Sequence, residues 1–297
     1  MPEPTKNLSV LQQAYREHGR RWREFLYCYP VISRRSKGLS IGINLNPDKA
    51  CNFDCVYCQV DRSTPPIARK VDLSTVAVEL AALLDAAASG DLFNEPPLNA
   101  LPPAQRVVRD IAFSGDGEPT SYPQFDEAVA LAAKARADRR LTDTKLVLIT
   151  DASYLTRPPV HNGLAIMDAN NGEIWAKLDA GTQPYYEAVN RPNVSLDHIL
   201  ANILDAARTR PIVIQSLWMN LHNVPPPDDE VLAFCGRLKD ILRNGGKLKL
   251  VQVYTIARRT TEAYATSLTD QQLEHIANLV RSRIRIPVES FPGVQPT

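Results

Sequence analysis

Short β-branched apolar runs alternate along this chain with longer stretches in which apolar residues recur every three or four positions. That is the pattern of strands joined by crossover helices, and it predicts an α/β fold. Strands are predicted at residues 39–44, 108–114, 145–150, 173–179, 212–218 and 248–254. Helical patterns lie between them at 74–88, stopped by Gly90, at 125–137, at 196–208, entered by Ser195, and at 228–243, stopped by Gly245. Thr269 with Gln272 three residues on forms a capping-box pairing that opens a last helix, and a final strand is expected near 284–289. Residues 156–172 are rich in proline and asparagine and carry little helical pattern; a crossover is assigned there because the flanking strands need one. The Pro-rich stretches 95–103 and 224–229 read as surface loops, and no repeat is visible.

In a parallel barrel the strand-to-helix loops open on one rim, where binding and catalytic residues collect. Cys51 to Cys58 follow the first predicted strand and Gly115 to Thr120 the second; Thr150 and Asp151 follow the third, and Asp179 closes the fourth. The last two strands add Gln215, Asn220 and His222, then Tyr254, Arg258 and Arg259.

Composition narrows the class. A chain of 297 residues that is 44% hydrophobic closes a sizeable core, and no Gly/Ser linker divides it. An extension over 1–37, basic and aromatic, precedes one domain over 38–297. No signal peptide and no apolar run of about 18 residues is present, so a cytoplasmic location and no membrane partner are expected. The net charge of +1 does not speak for or against nucleic acid.

Three of the five cysteines, Cys51, Cys55 and Cys58, fall within eight positions of one polar loop beside Asn52 and Asp54. A structural zinc site is normally closed by four protein ligands, and no further Cys or His lies nearby, so zinc would need a distant fourth residue. A 4Fe-4S cube held by three thiolates keeps one iron open to a small molecule. Three unrelated core cysteines are the third reading.

This C-x3-C-x2-C loop, with Tyr57 just before its last cysteine, resembles the signature of the radical SAM superfamily. The resemblance implies a partial (β/α)6 barrel of parallel strands with an extra C-terminal helix. It also implies one 4Fe-4S cluster on Cys51, Cys55 and Cys58, whose open iron is chelated by S-adenosyl-L-methionine. In that family one electron splits the sulfonium S–C5′ bond, and the resulting 5′-deoxyadenosyl radical abstracts a substrate hydrogen. The stretch Ser114-Gly115-Asp116-Gly117-Glu118-Pro119-Thr120 is similar to the family's Gly-Gly-Glu-Pro motif, which implies that Gly115 and Gly117 receive the cofactor's ammonium group, that Glu118 orients or charge-matches it, and that Tyr57 and Asp116 also contact the cofactor, unless the stretch is only a turn. Asp179 is the implied ribose contact, unless it only forms the turn before Ala180-Gly181; Lys177, two residues earlier, faces the same way or pairs with it. Thr150, Gln215 and Tyr254 are further implied cofactor contacts.

Within the superfamily, Phe113 to Thr120 and Asn46-Pro47 resemble the wyosine-base synthase-like iron–sulfur oxidoreductases over residues 38–260. Characterised members of that branch bind a second cluster through additional upstream cysteines. Here only Cys28 lies upstream, and Cys235 belongs to the apolar stripe Val231, Phe234, Cys235, Leu238 and Leu242, so a second cysteine-ligated cluster is excluded by count. The resemblance also implies an external electron donor, flavodoxin- or ferredoxin-like. The substrate is a small molecule or a tRNA base. For RNA speak Arg16, Arg20, Arg21, Arg23, Arg34, Arg35 and Lys37, interleaved with Tyr15, Trp22, Tyr27 and Tyr29; against it, such a segment also packs its aromatics on a barrel while its arginines reach water. A non-catalytic metal- or RNA-binding module is the remaining alternative, and Arg258 and Arg259 would bind an anion or pair with Glu262.

Overall fold

The computed structural model describes residues 22–293. Eight strands form one curled sheet in the order β1 (Cys28–Ser33), β2 (Gly38–Ile43), β3 (Val108–Phe113), β4 (Lys145–Thr150), β5 (Gly172–Lys177), β6 (Ile212–Leu217), β8 (Leu248–Tyr254) and β10 (Val288–Phe291). From β2 to β10 every pairing is parallel, while β1 runs antiparallel to β2 at the edge. A two-stranded ribbon of β7 (Asn220–Leu221) and β9 (Ala265–Thr266) lies apart from this sheet.

Strand side chains alternate between two faces. One set, including Leu39, Ile41, Ile111, Phe113, Leu146, Leu148, Ile174, Ile212, Ile214, Val251 and Val253, joins the main core with the helices. The other set points into the concave side, where Ala112, Val147, Trp175 and Val213 form a separate small cluster. The helices are α1 (Leu73–Ser89), α2 (Phe125–Asp138), α3 (Pro158–Asp168), α4 (Gln183–Asn190), α5 (Leu196–Thr209), α6 (Asp228–Arg243) and α7 (Asp270–Arg283). α1 ends at Gly90 with φ of 88°, the left-handed conformation glycine adopts freely. The capping box of Thr269 and Gln272 is present at the start of α7.

Three elements were not anticipated in this form. The helix in the proline-rich crossover is α3, which tolerates Pro158 and Pro159 because its first turn has no use for their missing N–H groups. α4 is a further short helix, entered at Thr182. β1 arises inside the stretch expected to be an extension; Pro30 is compatible with it because it is an edge strand. The chain leading into β1 is pinned by buried Glu79 of α1, whose carboxylate accepts the N–H groups of Leu26, Tyr27 and Cys28 at 2.7 to 2.9 Å. Of the basic–aromatic set, Tyr15, Arg16, Arg20 and Arg21 lie outside the described residues. Tyr27 and Tyr29 are buried. No helix among the described residues is long and apolar enough to cross a membrane.

Candidate functional site

The concave face of the sheet encloses a cavity of about 310 Å³. Its lining brings together Cys51, Cys55, Cys58 and Tyr57 from the loop after β2, Gly115 to Glu118 after β3, Thr150 at the end of β4, Gln215 on β6 and Tyr254 on β8. The C-terminal rim thus gathers residues that are up to 203 positions apart in sequence (254 − 51).

The cysteine loop is held from behind. Val56 donates its N–H to the Val189 carbonyl at 2.9 Å, Phe53 bridges to Pro192, and the Phe53 ring meets Tyr186 edge-on at 5.9 Å. The Cys58 N–H closes a turn on the Cys55 carbonyl at 2.9 Å. Cys51 is exposed on the rim, whereas Cys55 and Cys58 are half-buried. Two side chains donate to the sulfurs: Arg62 Nη1 to Cys58 Sγ at 3.1 Å and Asn190 Nδ2 to Cys55 Sγ at 3.5 Å. Burial pushes the Cys55 thiol up to about 12, against the charge of Lys177 and the Asn190 hydrogen bond. Cys51 is pushed up to about 11, first by partial desolvation and then by the negative charges of Asp151 and Glu118, against the Phe53 backbone hydrogen bond.

The glycine turn meets this loop at backbone distance. A Cβ on Gly117 would stand 2.0 Å from the Ala50 carbonyl oxygen, and one on Gly115 would stand 2.2 Å from Asn44 Oδ1. Both glycines therefore let the β3 turn lock against the chain leading to Cys51. Asn44 fastens the same contact, accepting the Asp116 N–H at 3.1 Å and donating Nδ2 to Asp116 Oδ2 at 2.8 Å. Asn52 Nδ2 donates to Ser153 Oγ at 2.9 Å, tying the cysteine loop to the loop after β4.

Glu118 is buried and heavily engaged. Its carboxylate accepts from the Thr120 N–H at 3.0 Å, the Thr120 hydroxyl, the Thr150 hydroxyl at 2.6 Å and the Asp151 N–H at 2.7 Å. Burial first, and then the neighbouring Asp151, push it up to about 8. Asp151 is raised too, mainly by burial.

Asp179, expected to face the mouth, does not line the cavity. It is buried behind Tyr57, whose hydroxyl donates to it, and it accepts Asn190 Nδ2 at 3.0 Å and the Leu217 N–H at 2.8 Å. Lys177, which does line the cavity, lies 3.3 Å from the same carboxylate, so the two form an ion pair. Lys177 also sits 4.6 Å over the Tyr57 ring and donates to the Tyr254 hydroxyl at 3.2 Å. Burial is the largest single influence and lowers its ammonium, but Asp179, Tyr254 and Cys55 together outweigh it and raise it.

Arg62 and Asn190 escaped the sequence reading. Arg62 sits in an aperiodic polar loop, and Asn190 ends α4; the available signal for that helix was Thr182 ahead of Pro184, a cap followed by proline in the first turn. Cys28 and Cys235 are buried in the core, away from this site.

The donor set was tested against the group its spacing implies. Among the described residues no three His, Cys, Asp or Glu side chains converge to hold a single metal ion. A cube takes each thiolate on a separate iron and needs no such convergence. Two wall acceptors, Asp151 Oδ2 and Gln215 Oε1, are buried without a hydrogen bond, as suits a cavity that takes a ligand rich in donors. The residues fit a three-thiolate cluster with a polar small molecule beside it.

No protein-family model matches the chain. Among curated proteins, the GTPase Obg of Brachyspira hyodysenteriae is 24% identical over 267 residues, which is 88% of this chain and 34% of that protein. A UPF0026 protein of Helicobacter pylori is 26% identical over 177 residues, 59% of this chain and 49% of that one. The chain therefore spans half or less of the length of these relatives. Among solved structures, a radical SAM methyltransferase from Sphaerobacter thermophilus superposes with a TM-score of 0.60 at 12% identity, covering 88% of this chain and 68% of its own. SuiB of Streptococcus suis, solved bound to S-adenosylmethionine, superposes with a TM-score of 0.53 at 10% identity, covering 87% of this chain and 49% of its own. At these identities the likeness is one of fold: the chain has the curled parallel half-barrel of radical SAM enzymes.

Proposed function

We propose that this chain is a radical SAM enzyme with one 4Fe-4S cluster held by Cys51, Cys55 and Cys58. The observation that carries the reading is that all three cysteines, on one loop at the C-terminal rim, share a cavity with the glycine turn in a fold of the radical SAM type. When bound, the cluster and S-adenosyl-L-methionine supply one-electron cleavage of the sulfonium bond and hydrogen abstraction from a substrate. The chain's own residues do the positioning. Arg62 and Asn190 donate N–H groups to the sulfurs of Cys58 and Cys55, which lowers the cost of carrying thiolate charge there. Asp151 Oδ2 and Gln215 Oε1 offer acceptors to the amino and hydroxyl groups of the cofactor. Glu118 anchors the glycine turn through Thr120, Thr150 and Asp151. Ile149, Trp175, Leu217 and Tyr254 give the cavity apolar walls that exclude water from a reactive species. An external one-electron donor of the flavodoxin or ferredoxin type completes the reading.

The test is anaerobic reconstitution. The wild-type protein is expected to turn brown, to bind about four irons and, once reduced, to release 5′-deoxyadenosine from S-adenosyl-L-methionine. Cys55→Ala is expected to lose iron and cleavage together, whereas Cys28→Ala keeps both. A colourless, zinc-loaded protein that leaves the cofactor intact overturns the proposal. RNA that co-purifies and is released by salt would mark the substrate as a nucleic-acid base instead of a small molecule.

A further inference from the structure

The cavity does not end at the rim. It continues to the turn that joins β1 to β2, about 20 Å from the cysteine loop along a six-residue strand. Arg35 extends from this turn into the cavity. Its guanidinium carbon lies 5.0 Å from the centre of the Tyr254 ring and 5.5 Å from that of Trp175, and both residues are buried. The neighbouring Arg34 donates to the Pro292 carbonyl, so the turn at one edge of the sheet is tied to the chain that follows β10 at the other edge. Arg35 thus stands where the open side of the half-barrel is bridged.

The acids of the lumen floor are already committed. Glu173 is held by Lys145 at 3.0 Å, Lys249 at 2.6 Å and the Trp175 indole N–H at 3.0 Å. Asp110 is buried, which raises its carboxyl against the Ser36 and Ser40 hydrogen bonds and the charge of Arg35. Among the described residues no acidic side chain stands at ion-pair distance from Arg35; Asp110 feels its charge from farther away. A guanidinium stacked on aromatic faces keeps its N–H edge free for the forked pairing that carboxylates and phosphates accept. Arg35 is half-buried with two ring faces and only the more distant Asp110 carboxyl beside it, and an anion in the lumen would pair with the N–H groups these leave.

We propose that the lumen binds a small anionic substrate, seated by a carboxylate or phosphate group on Arg35. Resting on the radical SAM reading, this seats the anion-bearing end of the substrate beside Tyr254 and Trp175, in the cavity that the cysteine loop shares. Trp175 and Tyr254 hold the guanidinium in plane.

The experiment titrates inorganic phosphate and, separately, acetate into the reconstituted full-length protein at an ionic strength held constant with chloride, following tryptophan emission. Trp175, beside Arg35, is the reporter, and Trp175→Phe identifies its share of the signal. A saturable change is expected for at least one anion; tighter phosphate marks a phosphorylated substrate and tighter acetate a carboxylate. Arg35→Gln is expected to weaken that anion at least tenfold. Arg35→Lys, which keeps the charge but not the fork, is expected to fall between the two and decides the matter if the glutamine variant does not fold. No saturation by either anion, or unchanged binding in both variants, overturns the proposal. Iron content of the wild-type protein is read separately: anion binding without iron leaves this subsite standing and removes the cluster reading, and iron without anion binding does the reverse.

Discussion

The two ends of the lumen solve the same problem, polar groups in a confined space, in opposite ways. At the floor the buried acid meets its complement: Glu173 lies between two half-exposed lysines, and its own strand neighbour Trp175 adds a donor. At the rim, Asp179, Lys177, Tyr57 and Asn190 form a buried network, and beside it sit carboxylates and thiols whose charged forms the surroundings disfavour. The Glu173 site is electrostatically closed, whereas the rim is organised to receive charge. Its backbone is tighter as well, since the β3 turn touches the cysteine loop with no room for a side-chain carbon.

The largest expected effect comes from the rim network. Asp179→Asn leaves the Lys177 ammonium buried without its counter-charge, and unfolding in denaturant should show a loss of ~3–5 kcal/mol. Glu173→Gln at the floor, whose lysines reach water, should cost no more than ~1 kcal/mol. Equal losses at the two positions would erase the contrast between the ends.

A smaller effect is expected from Gly117→Ala. The added carbon must push the Ala50 carbonyl away, at ~1–3 kcal/mol, and the displaced loop should also hold less iron on reconstitution. A variant with wild-type stability and iron content would show that the turn and the loop can separate.

The smallest effect is one of pH. Glu118 is held up near 8, so the folded protein keeps a proton on it that the unfolded chain has lost above the ordinary carboxylate range. Its contribution to stability is therefore fully present below about pH 4.5 and is lost as the pH rises through 8. Glu118→Gln, which mimics the protonated acid, should be within ~1 kcal/mol of wild type at pH 6 and should lose less stability than wild type between pH 6 and 9. Denaturant midpoints across that range check it; parallel curves for the two proteins would mean that Glu118 is ionised throughout.

Much of the architecture was legible because it is written in local period. The six runs of β-branched residues became β2 to β6 and β8, and the capped segments became α1, α2, α5, α6 and α7, most within one or two residues. The cysteine spacing and the Gly-Asp-Gly turn were equally plain, since both depend on near neighbours in the chain. β1 was missed because Pro30 interrupts its short apolar run; it exists because Glu79 holds the chain that enters it. Asp179 was read correctly as a strand-end acid, but its direction depended on Tyr57 and Asn190, residues 122 positions before and 11 after it.

Periodicity and spacing along the chain were enough to specify a parallel α/β layering and three thiols on one loop, because those features follow from contacts between residues a few positions apart. Which side chains surround the thiols was decided by the curl of the sheet. That curl carries Asn190 onto the Cys55 sulfur, turns Asp179 into the wall and brings Arg35 between two rings of distant strands. The physical reason is that each of these contacts depends on long-range packing, which leaves no periodic trace in the order of amino acids.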